Sequence, residues 1–385
     1  KRINKEKIPC YEPMVGMDEI NNLKKVIQSG WLSEKTFTRK FENFIANYSN
    51  RKYSLAFTNA TSAMIVGMKA LGIDKGDDVI VPSFSHSADA NSILATGANP
   101  IFAEVSVDSM CLTLEKIKKC ITKKTKAILY VAVYGNADEL DEIEKYCKTK
   151  KVFLIVDAAA ALGSKFKKRH ISSYGNFSVH SFFADKTITT GEGGVLLTDS
   201  NKILKSCNYY KHDGRKERGE DTIKLPGYNF RFTELQAAVG MAQTKKLNYF
   251  IKKKKDIYKK YKNNLKIIDK LKVFDYSKFC NPVPHRIVIF TKKKSNSLRK
   301  YLNKFGIGVR TLFVPMHRQP IYNRKNKFKN SEVLFNTGIC LPSAPSLTIK
   351  QIDFIFINHI KLAIRQINKY FYDFPNFLSN ISLSS

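Results

Sequence analysis

A lysine stands apart from ordinary surface lysines when the chain sets it at the end of a buried strand. The segment HSFFADKTITTGEGG (180–194) does this for Lys186: SVHSFF (178–183) reads as a strand, Ser181 lies on it five residues earlier, and a glycine-rich turn follows. Ligands of open α/β sheets bind at such carboxyl ends. A second strand pattern, KVFLIVDAAA (151–160), is apolar up to Asp157. A carboxylate there is costly unless it is partnered. The residues leave two readings open, an N-cap for the following turn or a partner that keeps a cationic ring nitrogen protonated. In FTNATSAM (57–64) small and hydroxylic residues precede an amphipathic helix. Free amides at its start, with the hydroxyls of Thr61 and Ser62, would hold a phosphate; an ordinary N-cap produces the same pattern.

Lysine, aspartate and phosphate cradle together point to a pyridoxal 5'-phosphate site. The elements that position them alternate. DDVIVPSF (77–84), NPIFAEV (99–105), KAILYVAVYG (126–135), 151–160, 178–183 and GGVLLT (193–198) read as strands; 61–73, 113–121 and 137–150 read as helices. This order predicts an α/β fold with a mixed, mostly parallel sheet covered by helices. Two helical arms flank Gly30. FTELQAAVGMAQTKKLNYFIKKKKDIYKKYKNNL (232–265) is long enough to require a kink and to bridge to a second unit, which divides the chain into 1–245, an arm with the large cofactor-binding domain, and 246–385, a smaller α+β domain. There, HRIVIFTKK (285–293) predicts a strand, 297–306 a helix and 348–371 a final helix.

The chain of 385 residues is 43% hydrophobic and 26% charged, which excludes wholesale disorder. No apolar stretch reaches the ~18 residues of a membrane span, and the first residues carry charge with no apolar core after it, so no secretory signal is expected. Seven single cysteines without a C-x-x-C pair argue against a disulfide framework or zinc site and fit a reducing cytoplasm. Sixty-six Lys and Arg against 33 Asp and Glu give a formal net charge of +33. That field attracts phosphate-bearing partners, although a lysine-rich bias over the whole surface is the favoured explanation, and the run at 252–255 reads as a solvated helix face.

The ordered motifs SGWLS (29–33), TNATSAM, GDDVIVPSFSHSADAN (76–91), LYVAVYGN (129–136), SFFADKTITTGEGG, GYNFRFTELQAA (227–238) and FVPMHRQPIY (313–322) resemble the DegT/DnrJ/EryC1/StrS pyridoxal-phosphate sugar aminotransferases, most closely the perosamine-synthase-like branch acting at C4. The resemblance implies an aspartate-aminotransferase-like large domain. Lys186 then matches the lysine that binds the cofactor and shuttles protons, and Asp157 the residue on the pyridinium nitrogen. Ala60, Thr61 and Ser181 match phosphate-binding positions, with Ser62 beside them. His86 falls where an aromatic ring stacks on the cofactor, a buried structural histidine being the other reading. Asn229 matches a residue reaching the phosphate from the other subunit, with Arg231 its neighbour, so the resemblance implies a homodimer with shared sites. Trp31, Ser33, Arg310 and His317 are its candidates for the sugar-nucleotide side. L-glutamate and a nucleotide-linked 4-keto-6-deoxyhexose are the implied substrates.

Two positions depart from the family pattern. Ala160 replaces a polar side chain near the cofactor's phenolic oxygen, and Asp185 replaces an Asn before the lysine. A carboxylate beside Lys186 favours its protonated form unless it points away. The competing readings are a 3-aminotransferase, a 3-dehydratase of the same fold, which Lys186 opposes, and a nucleic-acid-binding or regulatory protein using the lysine-rich helices.

Overall fold

The computed structural model describes residues 7–216, 219–292, 294–322 and 328–363. Its main sheet has seven strands: β1 (Tyr53–Phe57), β2 (Asp78–Pro82), β3 (Asn99–Ala103), β4 (Thr125–Val131), β5 (Phe153–Asp157), then, after a two-residue hairpin of β6 (Lys165–Phe166) and β7 (Arg169–His170), β8 (Phe177–Ser181) and β9 (Gly194–Thr198). The spatial order is β1-β9-β8-β5-β4-β2-β3. From β3 to β8 every neighbouring pair is parallel; β9 runs antiparallel to β8, and β1 antiparallel to β9. The mostly parallel sheet expected from the alternating pattern is therefore present. β1 was not expected, because YSLAF is short and holds no β-branched residue to announce it.

Helices α1 (Met17–Gln28) and α2 (Thr36–Tyr48) form the two arms around Gly30, whose φ of +68° makes the break. α3 (Ala60–Ala70), α4 (Ser87–Thr96), α5 (Leu114–Lys118), α6 (Leu140–Lys150) and α7 (Asn201–Lys211) pack on the sheet. α3 can sit close because Gly67 has no side chain: a Cβ there would lie 2.5 Å from Phe177 and 2.8 Å from Leu196. α6 begins three residues later than expected, since the Tyr130 hydroxyl accepts from the Asp138 amide (2.8 Å) and donates to its carbonyl (3.0 Å), holding that stretch out of the helix.

α8 (Glu234–Leu265) is one unbroken helix of 32 residues. No kink occurs, and position 246 lies in its interior. The reason is in its buried side: Leu247, Phe250, Lys254, Ile257, Tyr261 and Leu265 keep three- or four-residue spacing to the end. Its carboxyl half packs with a four-stranded sheet in the order β10 (Leu271–Val273), β12 (Ile287–Thr291), β14 (Gly338–Leu341), β13 (Arg310–Thr311), while β11 (Cys280–Asn281) pairs with β6. α9 (Asn296–Lys304), α10 (Lys329–Thr337) and α11 (Ile349–Ile355), followed by one π-helical turn (Phe356–Ile360), complete this region. The part of the expected last helix beyond 363 lies outside the described residues. Ile8 bridges Ile307 and shares this region's hydrophobic cluster, so the start of the chain packs with its C-terminal part.

Candidate active site

The register of three adjacent strands brings together the residues expected to form a phosphate cradle. Ser181, last in β8, pairs with Gly194, first in β9, and Gly194 pairs with Phe57, last in β1. α3 starts three residues further on. A Cβ on Gly194 would stand 2.4 Å from the Ala60 nitrogen, so glycine alone permits this approach. Asn59 caps α3 by accepting from the Ser62 amide (2.9 Å), and the Ser62 hydroxyl bonds back to the Asn59 carbonyl (2.9 Å). Ser62 thus takes part in the cap of α3. The amides of Ala60 and Thr61 meet no acceptor in the backbone network of the described residues and lie beside Gly194, the kind of helix start that can hold an anion.

Asp157 closes β5 and is buried, its Oδ1 accepting from the Ala159 amide (2.8 Å). The turn-capping reading is therefore true of one oxygen and leaves the other available. Lys186 follows β8. Burial pushes its amine below the ordinary lysine range, while Asp185 and Asp157 pull the other way. Asp185 Oδ1 lies 4.0 Å from Lys186 Nζ, and its Oδ2 is ion-paired with the buried Arg286. The carboxylate that threatened to hold the lysine protonated is thus drawn toward a guanidinium.

Sequence reasoning missed Arg286 and its surroundings. His285 Nε2 stands 4.0 Å from Asp185, and burial pushes this imidazole well below its usual range. The Arg286 and Arg310 guanidinium carbons lie 4.9 and 4.8 Å from the Tyr11 ring centroid, and Arg310 donates to the Tyr11 hydroxyl (3.2 Å). Lys254, inside the lysine run read as solvated, is buried; desolvation first, then Arg286, brings its amine down to about 7. The signal available was the charge pair HR at the mouth of the apolar run IVIF.

His86 is exposed, not buried. Its Nδ1 accepts from the Ala88 amide (3.1 Å) at the start of α4, and its ring stands 6.1 Å from Phe313, which stacks on Tyr134 at 5.2 Å. Desolvation and then Lys186 lower its basicity, while Asp157 and Asp185 oppose them. Arg310 joins the site's rim through Tyr11. His317 Nε2 is instead 2.9 Å from Glu332, which also takes Arg318. Trp31, with Lys35 4.8 Å above its ring, Ser33 and the exposed Asn229 are not among the groups gathered around Lys186 within one chain. Arg231 is paired with Asp213 (2.9 Å). Ala160 stays half-buried beside Asp157, too short to replace the polar contact.

A lysine amine, an acidic anchor and a helix-start cradle at the carboxyl edge of one sheet agree with a family model that matches residues 13–358, the DegT/DnrJ/EryC1/StrS aminotransferase family. The chain belongs to this family. It is 35% identical to the GDP-perosamine synthase of Escherichia coli O157:H7 over 350 residues, covering 90% of this chain and 96% of that one. It is 34% identical to the GDP-perosamine synthase of Vibrio cholerae over 356 residues, with the same coverage. Among solved structures, the putative sugar aminotransferase Spr1654 from Streptococcus pneumoniae superposes with a TM-score of 0.90 at 22% identity, over 95% of this chain and 100% of that one. The protein is a sugar aminotransferase dependent on pyridoxal 5'-phosphate. The residues present fit that cofactor: free amides at a glycine-lined helix start for its phosphate, an enclosed amine of lowered basicity for its aldehyde carbon, and an acidic side chain at a neighbouring strand end for its ring nitrogen.

Proposed function

We propose that the protein transfers the amino group of L-glutamate to C4 of a nucleotide-linked 4-keto-6-deoxyhexose, giving a 4-amino-4,6-dideoxy sugar nucleotide. The reading is carried by the meeting of Lys186, Asp157 and the amino end of α3, and supported by relatives named GDP-perosamine synthase across almost their full length. Bound pyridoxal 5'-phosphate supplies the electron sink that makes a carbon bearing the amine acidic. In this reading the Ala60 and Thr61 amides and the Ser181 hydroxyl hold its phosphate end, Asp157 keeps the proton on the ring nitrogen, and the exposed His86 ring covers its face. Lys186 Nζ, its basicity lowered by desolvation, takes the proton from the α-carbon of glutamate and in the second half-reaction returns one to C4 of the sugar. Asp185 is held by Arg286 so that it does not fix this amine in its charged form. Amino donor and keto sugar use the same centre in turn, which requires ping-pong kinetics.

Arg310 and Trp31, with Ser33 and His317, are assigned to the nucleotide side. We further assign residues 1–245 and 246–385 to large and small domains sharing α8, and a homodimer in which Asn229 serves the other subunit's phosphate. Exposed Met17, Ile20 and Ile27 on α1, with Trp31 and Leu32 after it, give that dimer an apolar surface to bury. Among the described residues no helix is long and apolar enough to cross a membrane; all seven cysteines are free thiols, which suits the cytoplasm. The test mixes holoenzyme and glutamate with a panel of GDP-, UDP- and dTDP-linked 4-keto-6-deoxysugars and weighs the products. One aminated sugar is expected; cofactor bleaching by glutamate without any aminated sugar overturns the substrate while leaving the enzyme class intact.

A further inference from the structure

Asp89, in the first turn of α4, is fully buried and plays no part in the mechanism above. Neither of its carboxyl oxygens receives a hydrogen bond from a donor among the described residues. The nearest hydroxyl, Ser85, makes long contacts to the carbonyls of Pro82 (3.5 Å) and His86 (3.4 Å), and its pull on Asp89 is weaker than the opposing push of Asp157. After burial, the strongest influence on Asp89 is the Asp157 carboxyl, which acts on it both through charge and as a side-chain hydrogen-bonding neighbour. Around the pair stand Lys186, whose closer carboxylate is Asp185, the exposed His86, and Tyr322, whose hydroxyl donates to Asn91. Two neighbouring carboxylates with no donor between them repel, and an unpaired buried charge is costly. The start of α4 favours a negative charge only weakly by comparison. A carboxylic acid, in contrast, has one O–H to give, and the neighbouring Asp157 can accept it.

We propose that Asp89 is a protonated carboxylic acid that donates a hydrogen bond to Asp157, a positioning residue that fixes the carboxylate that anchors the cofactor's ring nitrogen. The proposal rests on the assignment of Asp157 as that anchor. It explains how a wholly buried second acid is tolerated beside the anchor. It also adds a linkage to pH. Burial, then Asp157, raise Asp89 well above the ordinary carboxylate range. The folded chain therefore keeps a proton that the unfolded chain gives up, and stability from this pair falls as pH rises from the ordinary carboxylate range toward Asp89's own value.

Infrared difference spectra between wild type and Asp89→Asn, recorded at neutral pH with and without cofactor, test the proton itself. A carboxylic-acid C=O band present in wild type and missing in the variant is expected; identical spectra overturn the proposal. Asp89→Asn keeps a donor and should bind pyridoxal 5'-phosphate within about twofold of wild type, whereas Asp89→Ala removes it and should weaken binding about tenfold, the value of one hydrogen bond to a charged group. Equal affinities of Asp89→Ala and wild type contradict it. Thermal melts of wild type and Asp89→Asn should diverge in favour of the variant as pH rises, and parallel curves contradict it. Asp157→Ala separates the two assignments: unchanged cofactor binding there sinks the anchor, while the Asp89 band still reports its own proton.

Discussion

The two ends of β5 carry charge in opposite ways. At its amino end, a crevice of about 470 Å³ is lined by Arg51, Glu144, Arg169, Lys148 and Asp199. Arg51 gives its Nε to the Ser172 carbonyl (2.9 Å), Nη1 to Asp199 (2.8 Å) and Nη2 to the Gly175 carbonyl (2.9 Å). Glu144 accepts from Arg169 (2.9 Å) and the Gly175 amide (2.8 Å). At the carboxyl end, Asp185 Oδ1, Arg286 Nη1, His285 Nδ1 and both oxygens of Asp89 are buried and lack hydrogen-bond partners among the described residues. Buried polar groups are normally satisfied. The amino end is a closed structural network, and the carboxyl end keeps buried polar atoms unsatisfied among the described residues. The crevice lies at the satisfied end of the strand, and the unsatisfied buried groups lie at the other.

Substitutions at the two ends should therefore separate activity from stability. Lys186→Ala is expected to cut amino transfer by about 10⁴-fold or more while the fold melts near the wild-type temperature, measured by single-turnover bleaching and calorimetry. Arg51→Met, at the other end, should cost about 2–3 kcal/mol of stability by leaving carbonyls and Asp199 unpaired, seen as a lower denaturant midpoint with unchanged cofactor affinity. If Arg51→Met instead weakens cofactor binding in the folded protein, the division between the ends fails.

Arg286→Met leaves Asp185 free to act on Lys186. Removing a cation that lowers the lysine's pKa, beside an anion that raises it, moves the acid limb of the rate profile upward and slows turnover near neutrality. Asp185→Asn in the same chain should restore the limb, which a merely structural role for Arg286 would not do. Lys254→Met gives the smallest effect. The folded lysine sits near 7 against 10.5 ordinarily, so the unfolded chain binds more protons between those values and wild-type stability rises with pH across that window. The variant should melt roughly 3 °C higher at pH 7, with a flatter dependence above it.

The placing of Lys186, Asp157 and the start of α3 was legible because each sits where a strand or helix pattern visibly ends. Asp89, Arg286, His285, Tyr11 and Lys254 were not, because they come from separate segments that only packing brings together. Their types also hide them: one more cation among 66 carries no signal until burial singles it out. The Asp185 departure illustrates this, since its compensating partner is 101 residues away. The continuity of α8 could have been read from its persistent apolar spacing. Ser62 could not have been told from a phosphate ligand, because a cap and a cradle use the same residues.

The central claim is that the cofactor is carried by Lys186. Hydride reduction of the holoenzyme followed by digestion and mass spectrometry tests it: the reduced cofactor should appear on the single peptide containing Lys186, with Lys254 unmodified. A cofactor recovered on any other lysine, or recovered wholly unattached from an active enzyme, would contradict the account.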